Sequence, residues 1–371
     1  MNVPLLDLVA QYKTIKDEVQ SALQRVIESQ QFIMGPAVAE LETAIAKLSH
    51  ARHGIGCASG TDALLLPLKA LNLKPGDEVI SPSFTFFATA GAIHNAGGTP
   101  VFVDIEADSF NIDPQAVEAA ITPRTRAIIP VHLFGQMANM ERLLAIAERR
   151  GLRIIEDACQ AIGARRSIDG EWRLAGELGW VTAYSFFPSK NLGAWGDGGM
   201  IVTSDDAAAE RLKRLRLHGG AKQYHHDEIG TNSRLDTLQA AVLLAKLPHL
   251  ADWSSRRREH AAYYSKAFAG LRGVTTPVVD RANEHIFHQY TLRAERRDEL
   301  QAHLKAKGIG SAVYYPIPLH RQDCFLDLGY KEGRLPVSER AAREVLSLPI
   351  YPELTRDQLD TVVGAIREFY R

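Results

Sequence analysis

Short apolar runs alternate with longer amphipathic stretches through the first half of the chain. The runs Glu78–Ser81, Pro100–Asp104, Arg126–Val131, Leu152–Glu156, Val181–Phe187 and Gly199–Thr203 are rich in Val and Ile, the composition of strands covered on both faces. Between them, Asp62–Leu71, Phe87–Asn95, Pro114–Ile121 and Met140–Arg150 carry helical spacing. Strand–helix–strand alternation predicts an α/β layer fold with a central, mostly parallel sheet. The texture changes after Ser233. Leu235–Leu247 and Trp253–Phe268 read as long helices, the second charged and well exposed. A smaller α+β segment follows from about Gly273, with Gln289–Arg293 as a strand and Arg297–Lys307 as a helix. The pattern predicts a large domain over residues 1–250, N-terminal segment included, and a small C-terminal domain over 251–371.

Composition narrows the class. An apolar fraction of 46% over 371 residues supports a large core and argues against disorder. Lys and Arg number 43 against 44 Asp and Glu, a net charge of -1. That balance offers no basic stripe to nucleic acid or to an anionic membrane surface, so neither is an expected partner. Cys57, Cys159 and Cys324 are scattered, with no paired spacing, which fits a reducing compartment. Met1–Val19 mixes charges into its apolar residues, unlike a signal peptide. No stretch approaches the roughly 20 apolar residues of a membrane helix. The expectation is a soluble, cytoplasmic protein. His225-His226-Asp227-Glu228 lie side by side in a polar stretch, whereas zinc ligands come from separated positions, so a loop and no metal are expected.

The chemistry concentrates in two segments. Arg153-Ile-Ile-Glu-Asp157-Ala-Cys-Gln160 is a strand ending in a carboxylate, and Tyr184-Ser185-Phe-Phe-Pro-Ser-Lys190-Asn-Leu-Gly193 is a later strand leading to a lysine in a loop. Pyridoxal phosphate needs this pairing: a lysine to hold its aldehyde and an acid to keep its pyridine nitrogen protonated. A free lysine titrates near 10.4 and is a poor nucleophile at neutral pH, which partial desolvation corrects. Either residue alone has an ordinary reading, Lys190 as a solvated charge and Asp157 as a strand-end cap. Ala58-Ser59-Gly60-Thr61-Asp62 opens a helix with small residues, which serves either as an anion seat or as a plain N-cap by Ser59 or Thr61. Ser81-Pro-Ser-Phe84-Thr85-Phe86-Phe87 places aromatics after a strand, one of them a candidate to stack on a flat ring and the rest core. His132-Leu-Phe-Gly135 reads as strand-end packing.

Seven segments in order resemble the DegT/StrS sugar aminotransferases, a branch of the fold-type I pyridoxal-phosphate enzymes. They are Gly60–Leu64, Pro82–Phe86, Glu156–Gln160, Ser185–Gly193, Gly196–Gly199, the stretch from His225 through Asn232-Ser-Arg234-Leu-Asp236 to Ala241, and Tyr315-Pro-Ile-Pro-Leu-His320. They run over almost the whole chain. The resemblance implies that Lys190 carries the cofactor, Asp157 partners the pyridine nitrogen and Gln160 donates to the phenolic oxygen. It implies that Phe86 stacks on the ring and that Gly60, Thr61 and Ser185 cradle the phosphate. Asn232 then reaches the phosphate in the neighbouring subunit, making a homodimer with shared sites. Some relatives replace the lysine with histidine and dehydrate their substrate, and Lys190 here favours transamination.

The expected reaction moves an amino group from glutamate, leaving 2-oxoglutarate, to a nucleotide-linked keto-hexose. Lys190 shuttles the proton as general base and acid. The preferred acceptor is a UDP-linked 3-keto-uronic acid, from the likeness of the Phe186–Lys190 and Tyr315–His320 segments to that branch and from Arg234 as a carboxylate partner. A dTDP-linked 3- or 4-keto-6-deoxyhexose is the alternative acceptor. Tyr314, Tyr315 and His320 are further substrate candidates, with packing of the small domain the alternative for the tyrosines. Ser233 and Asp236 have the spacing of a capping box for the following helix. A reading from a different class is a regulatory protein that binds the cofactor without turnover. Such a protein would lose the lysine or the carboxylate, or carry a DNA-binding appendage.

Overall fold

The computed structural model describes residues 1–220, 222 and 224–371. Two helices, α1 (Leu8–Ser29) and α2 (Pro36–Leu48), precede the first strand, β1 (His53–Cys57). Then come α3 (Gly60–Ala70), β2 (Glu78–Pro82), α4 (Ala88–Asn95), β3 (Thr99–Val103), α5 (Pro114–Ala120) and β4 (Thr125–Ile128). The chain continues through α6 (Met140–Arg150), β5 (Arg153–Asp157), a hairpin of β6 (Arg165–Ile168) and β7 (Glu171–Leu174), β8 (Val181–Ser185) and β9 (Gly199–Thr203). Helices α7 (Asp206–Leu215), α8 (Thr237–Lys246) and α9 (Leu250–Phe268) lead to short strands β10 (Val274–Thr275) and β11 (Asn283–Glu284). The chain ends with β12 (Tyr290–Ala294), α10 (Arg297–Ala306), α11 (Pro336–Glu344), β13 (Val345–Leu348) and α12 (Arg356–Phe369).

Seven strands form the central sheet in the order β1-β9-β8-β5-β4-β2-β3. Only β9 runs against the rest. The apolar runs supply both faces alternately, as a period of two requires. Val79, Ala127, Ile155 and Ile201 pack under α3 and α7, while Ile80, Ile128, Ile154 and Met200 pack on the opposite side with α2 and α6. The helices expected between the strands are present, with ends moved by a residue or two. Unannounced by the apolar pattern were α1, α2, β1, the hairpin and α7, and, near the end of the chain, α11, β13, α12 and the short β10 and β11.

A second core gathers on the three-stranded sheet β10-β12-β13. Tyr290, Leu292, Leu346 and Leu348 meet Leu300 and Leu304 of α10 and Leu359, Val362 and Ile366 of α12. Helix α9 touches both cores, Leu250 in the first and Tyr264 and Phe268 in the second. Its buried stripe includes Trp253, Arg257 and Ala261, so it is less exposed than its charge suggested. Val3 also packs in the second core, bridged to Ile309. No described helix is long and apolar enough to cross a membrane.

Candidate active site

The carboxyl ends of β2, β4, β5 and β8 open onto one cavity of about 420 Å³, where ligands settle in open α/β sheets. Asp157 closes β5 with its side chain buried beneath this cavity. Its Oδ2 accepts from the Thr89 hydroxyl of α4 at 2.9 Å, and its Oδ1 accepts from the Cys159 amide at 3.2 Å. Each oxygen keeps one acceptor site for an incoming N–H. Thr89 donates there and so accepts from Thr85, whose hydroxyl lies 3.3 Å away.

Lys190 lies beyond β8 in the same cavity, its backbone held by a turn to the Phe187 carbonyl at 2.8 Å. Among the described residues its amine has no hydrogen-bond or ion-pair partner. Burial lowers its pKa, while Cys159 and Asp157 act in the opposite sense. Burial also raises the Cys159 pKa, with Asp157 adding to the effect, so this thiol stays protonated.

Helix α3 aims its N-terminus at the cavity. The Ser59 Oγ caps the Asp62 amide at 3.1 Å, and the amides of Gly60 and Thr61 head the helix with no intrahelical acceptor. Ser59 therefore takes the N-cap role read for it. Ser185 packs so close that a Cβ at Gly60 would sit 2.5 Å from the Ser185 Cβ. Opposite, Phe86 is 56% exposed with its ring 6.1 Å from that of Tyr315, whereas Phe84 is fully buried in the core. The Gln160 Oε1 accepts from the Phe134 amide at 2.8 Å, which turns its Nε2 to donate to the Tyr315 hydroxyl at 3.0 Å.

The DegT/DnrJ/EryC1/StrS aminotransferase family model matches residues 13–367. The chain belongs to this family. The aminotransferase is 55% identical to a protein of Geobacillus stearothermophilus described as a pleiotropic regulatory protein, over 100% of this chain and 99% of that one. It is 46% identical to the UDP-N-acetyl-3-dehydro-alpha-D-glucosamine 3-aminotransferase of Acidithiobacillus ferrooxidans, over 98% and 97%. The UDP-2-acetamido-2-deoxy-3-oxo-D-glucuronate aminotransferase of Pseudomonas aeruginosa is 44% identical over 98% and 99%. The crystal structure of DesV from S. venezuelae superposes with a TM-score of 0.96 at 46% identity, covering 100% of this chain and 99% of that one. NtdA from Bacillus subtilis, solved with bound cofactor PMP, gives 0.91 at 33% identity, covering 99% and 85%.

Nine of the twelve residues singled out from the aminotransferase sequence line the cavity: Gly60, Thr61, Phe86, Asp157, Gln160, Ser185, Lys190, Tyr314 and Tyr315. His320 does not reach it. It is fully buried, with Nδ1 2.6 Å from the Ser83 hydroxyl and Nε2 3.1 Å from Glu339, and it ties the segment after Tyr315 to the end of β2. Asn232 and Arg234 are also outside the cavity. Asn232, Arg234 and Asp236 face outward along an extended segment, while the alternate residues Ser233 and Leu235 are buried. The expected capping box is absent: Asp236 is the N-cap of α8 and makes no side-chain bond. Ser233 instead donates to Asp62 at 2.7 Å and accepts from the Ala58 amide at 3.1 Å. Glu228, in the histidine-rich loop, pairs with Arg211 at 2.8 Å.

Sequence reading missed Thr89, Phe187, Ser189, Asp197, His288 and Gln289, which join or support this site. Thr89 meets Asp157 across 68 positions, and His288 comes from the approach to the second sheet. Neither meeting has a local signal in the sequence.

Proposed function

We propose that this aminotransferase moves the amino group of glutamate onto a nucleotide-linked keto-hexose, with pyridoxal phosphate held by Lys190. One observation carries the reading: a partnerless, half-buried lysine and a buried carboxylate share a cavity with a helix N-terminus. The residues fit the cofactor from end to end. Gly60, Thr61 and Ser185 would take its phosphate, since only a residue without Cβ fits at position 60. Asp157 has acceptor capacity left for the ring N–H. Gln160, its oxygen already pinned, has an N–H to give the phenolic oxygen. Phe86 offers the exposed aromatic face.

When bound, pyridoxal phosphate supplies a protonated ring that withdraws electrons from the substrate α-carbon. The chain's own residues supply the rest. Asp157, buried and fixed by Thr89, keeps the ring nitrogen charged. Lys190, with its pKa lowered by burial, presents a larger fraction of neutral amine at pH 7 than a solvated lysine does. Its Nζ takes the α-proton of glutamate as general base and returns a proton as general acid. The aromatic rings of Phe86, Phe187 and Tyr315 flank this exchange.

The preferred acceptor is a UDP-linked 3-keto-uronic acid. Two relatives named for UDP-linked 3-oxo sugars support it, one of them a glucuronate. Arg234 supports it too. This outward guanidinium has no ion-pair partner among the described residues and stands two positions from Asn232. Neither residue serves its own chain's cavity, so both are available to a second copy. In a homodimer Asn232 would donate to the partner's cofactor phosphate, and Arg234 would meet the sugar carboxylate there. Tyr314 and Tyr315 would line the sugar end.

The relative described as a pleiotropic regulatory protein favours a second reading, in which the cofactor is bound without turnover. Glutamate added to the yellow protein decides between them. Turnover predicts a shift of the absorbance to that of the pyridoxamine form, and a regulator predicts none. Challenging that form with UDP-, dTDP- and GDP-linked keto-sugars should return the aldehyde fastest with the UDP-linked 3-keto uronate. A faster return with a dTDP-keto-deoxyhexose overturns the acceptor assignment. Borohydride reduction should leave the cofactor adduct on Lys190, and an adduct on another lysine overturns that role.

A further inference from the structure

His288 is a buried imidazole in the wall of the cavity that holds Lys190, and nothing described so far uses it. Its protonation pattern follows from the hydrogen bonds around it. The Asn191 Nδ2 donates to the Ile286 carbonyl at 3.3 Å, which turns the Asn191 Oδ1 toward His288. That oxygen only accepts, so the His288 Nδ1, 3.1 Å away, carries the hydrogen. Burial and the neighbouring Lys190, Arg257 and His285 keep the ring neutral. The remaining nitrogen, Nε2, therefore holds a lone pair with no partner among the described residues. Lys190 lines the same cavity, and its amine is a donor that also lacks a partner among the described residues. Asn191 follows Lys190 in sequence, so the bond that orients the imidazole is anchored in the lysine's own loop.

We propose that His288 is a positioning residue for Lys190, its Nε2 accepting a hydrogen bond from the ammonium that Lys190 forms when it takes the substrate proton. The inference rests on Lys190 being the proton-shuttling lysine. A freed lysine in an apolar pocket samples many rotamers and loses its proton readily. An acceptor beside it keeps the ammonium aimed and charged until the proton is delivered. Asp157 and Cys159 also face Lys190, from the end of β5. Both are untouched by changes at 288.

Two substitutions separate positioning from packing. His288→Asn keeps a donor at the Nδ1 position, and so keeps the bond to Asn191, but is too short to replace Nε2. His288→Gln places an amide oxygen where Nε2 stood. Full-length protein loaded with pyridoxamine phosphate, in which Lys190 is free, is acylated with a trace amine reagent across pH and Lys190 is followed by mass spectrometry. The midpoint for Lys190 should fall by about one pH unit in His288→Asn and stay at the wild-type value in His288→Gln. The glutamate half-reaction should slow about tenfold in His288→Asn at unchanged KM, and recover in His288→Gln. A packing role predicts the reverse order, with His288→Asn like wild type, and that result overturns the proposal. Equal midpoints in all three proteins, or equal displacement in both variants, overturn it as well. Borohydride adducts on Lys190 in the aldehyde-loaded variants keep this outcome separate from failure of the Lys190 assignment.

Discussion

Gly60 shows how a single atom shapes the site. Its missing Cβ leaves room for Ser185, and the same gap brings the α3 amides up to the cavity. Gly60→Ala would press a methyl to 2.5 Å from the Ser185 Cβ. Overpacking of this kind costs about 1–3 kcal/mol, so pyridoxal phosphate affinity should fall roughly 5- to 150-fold, read by absorbance titration. Adding Ser185→Gly removes the clashing Cβ and should recover part of that loss. The same affinity in both variants would place the phosphate elsewhere. Asp157 was legible as a strand-end acid, but its support was not. Thr89 reaches it only because α4 crosses the end of β5, and no local pattern encodes that meeting.

At the scale of elements, apolar runs announced the strands that are covered on both faces. β1 was hidden because His53-Gly-Ile-Gly-Cys57 reads as a broken strand. Its glycines instead make room: a Cβ at Gly54 would lie 2.3 Å from the Glu42 carbonyl of α2, and one at Gly56 would lie 3.1 Å from Leu235. The hairpin of β6 and β7 was hidden by its charges. Arg166 is buried there only because Asp280 meets it at 2.7 Å. Ser233 looked like a cap for α8 and is instead a tie between that segment and the start of α3. Ser233→Ala leaves the Asp62 carboxylate and the Ala58 amide short of a buried partner. It should cost about 1–3 kcal/mol in urea unfolding. A loss confined to helix capping would be about 1 kcal/mol or less and would leave cofactor affinity unchanged, whereas the tie predicts that affinity falls too.

For the whole molecule, the outward Asn232 and Arg234 make subunit mixing informative. Lys190→Ala and Asn232→Asp, each inactive alone, should regain about half of wild-type activity per mixed dimer, because one site carries both lesions and the other neither. No recovery despite exchanged subunits would mean that Asn232 serves its own chain. Acid should weaken the fold through buried imidazoles. An unfolded histidine titrates near 6.5, while burial lowers His285 to about 3. Between these values the unfolded chain binds a proton that the folded one refuses. Stability is therefore full above the unfolded value and falls as pH drops toward the folded one. The His285 Nδ1 also accepts the Phe287 amide at 2.9 Å, a bond that protonation breaks. His285→Asn, which keeps an acceptor there, should flatten the fall of Tm between about pH 6.5 and 4, and an unchanged slope would assign it to other groups. The sequence by itself determined the alternating α/β layers, the strand-end acid and the loop lysine, because buried strands and helix starts write local patterns. Tertiary structure alone decided that Thr89 and His288 join the site, that His320 does not, and that Asn232 and Arg234 face away. Those outcomes depend on which strand ends and helices meet, and residues far apart in sequence leave no local pattern of their meeting.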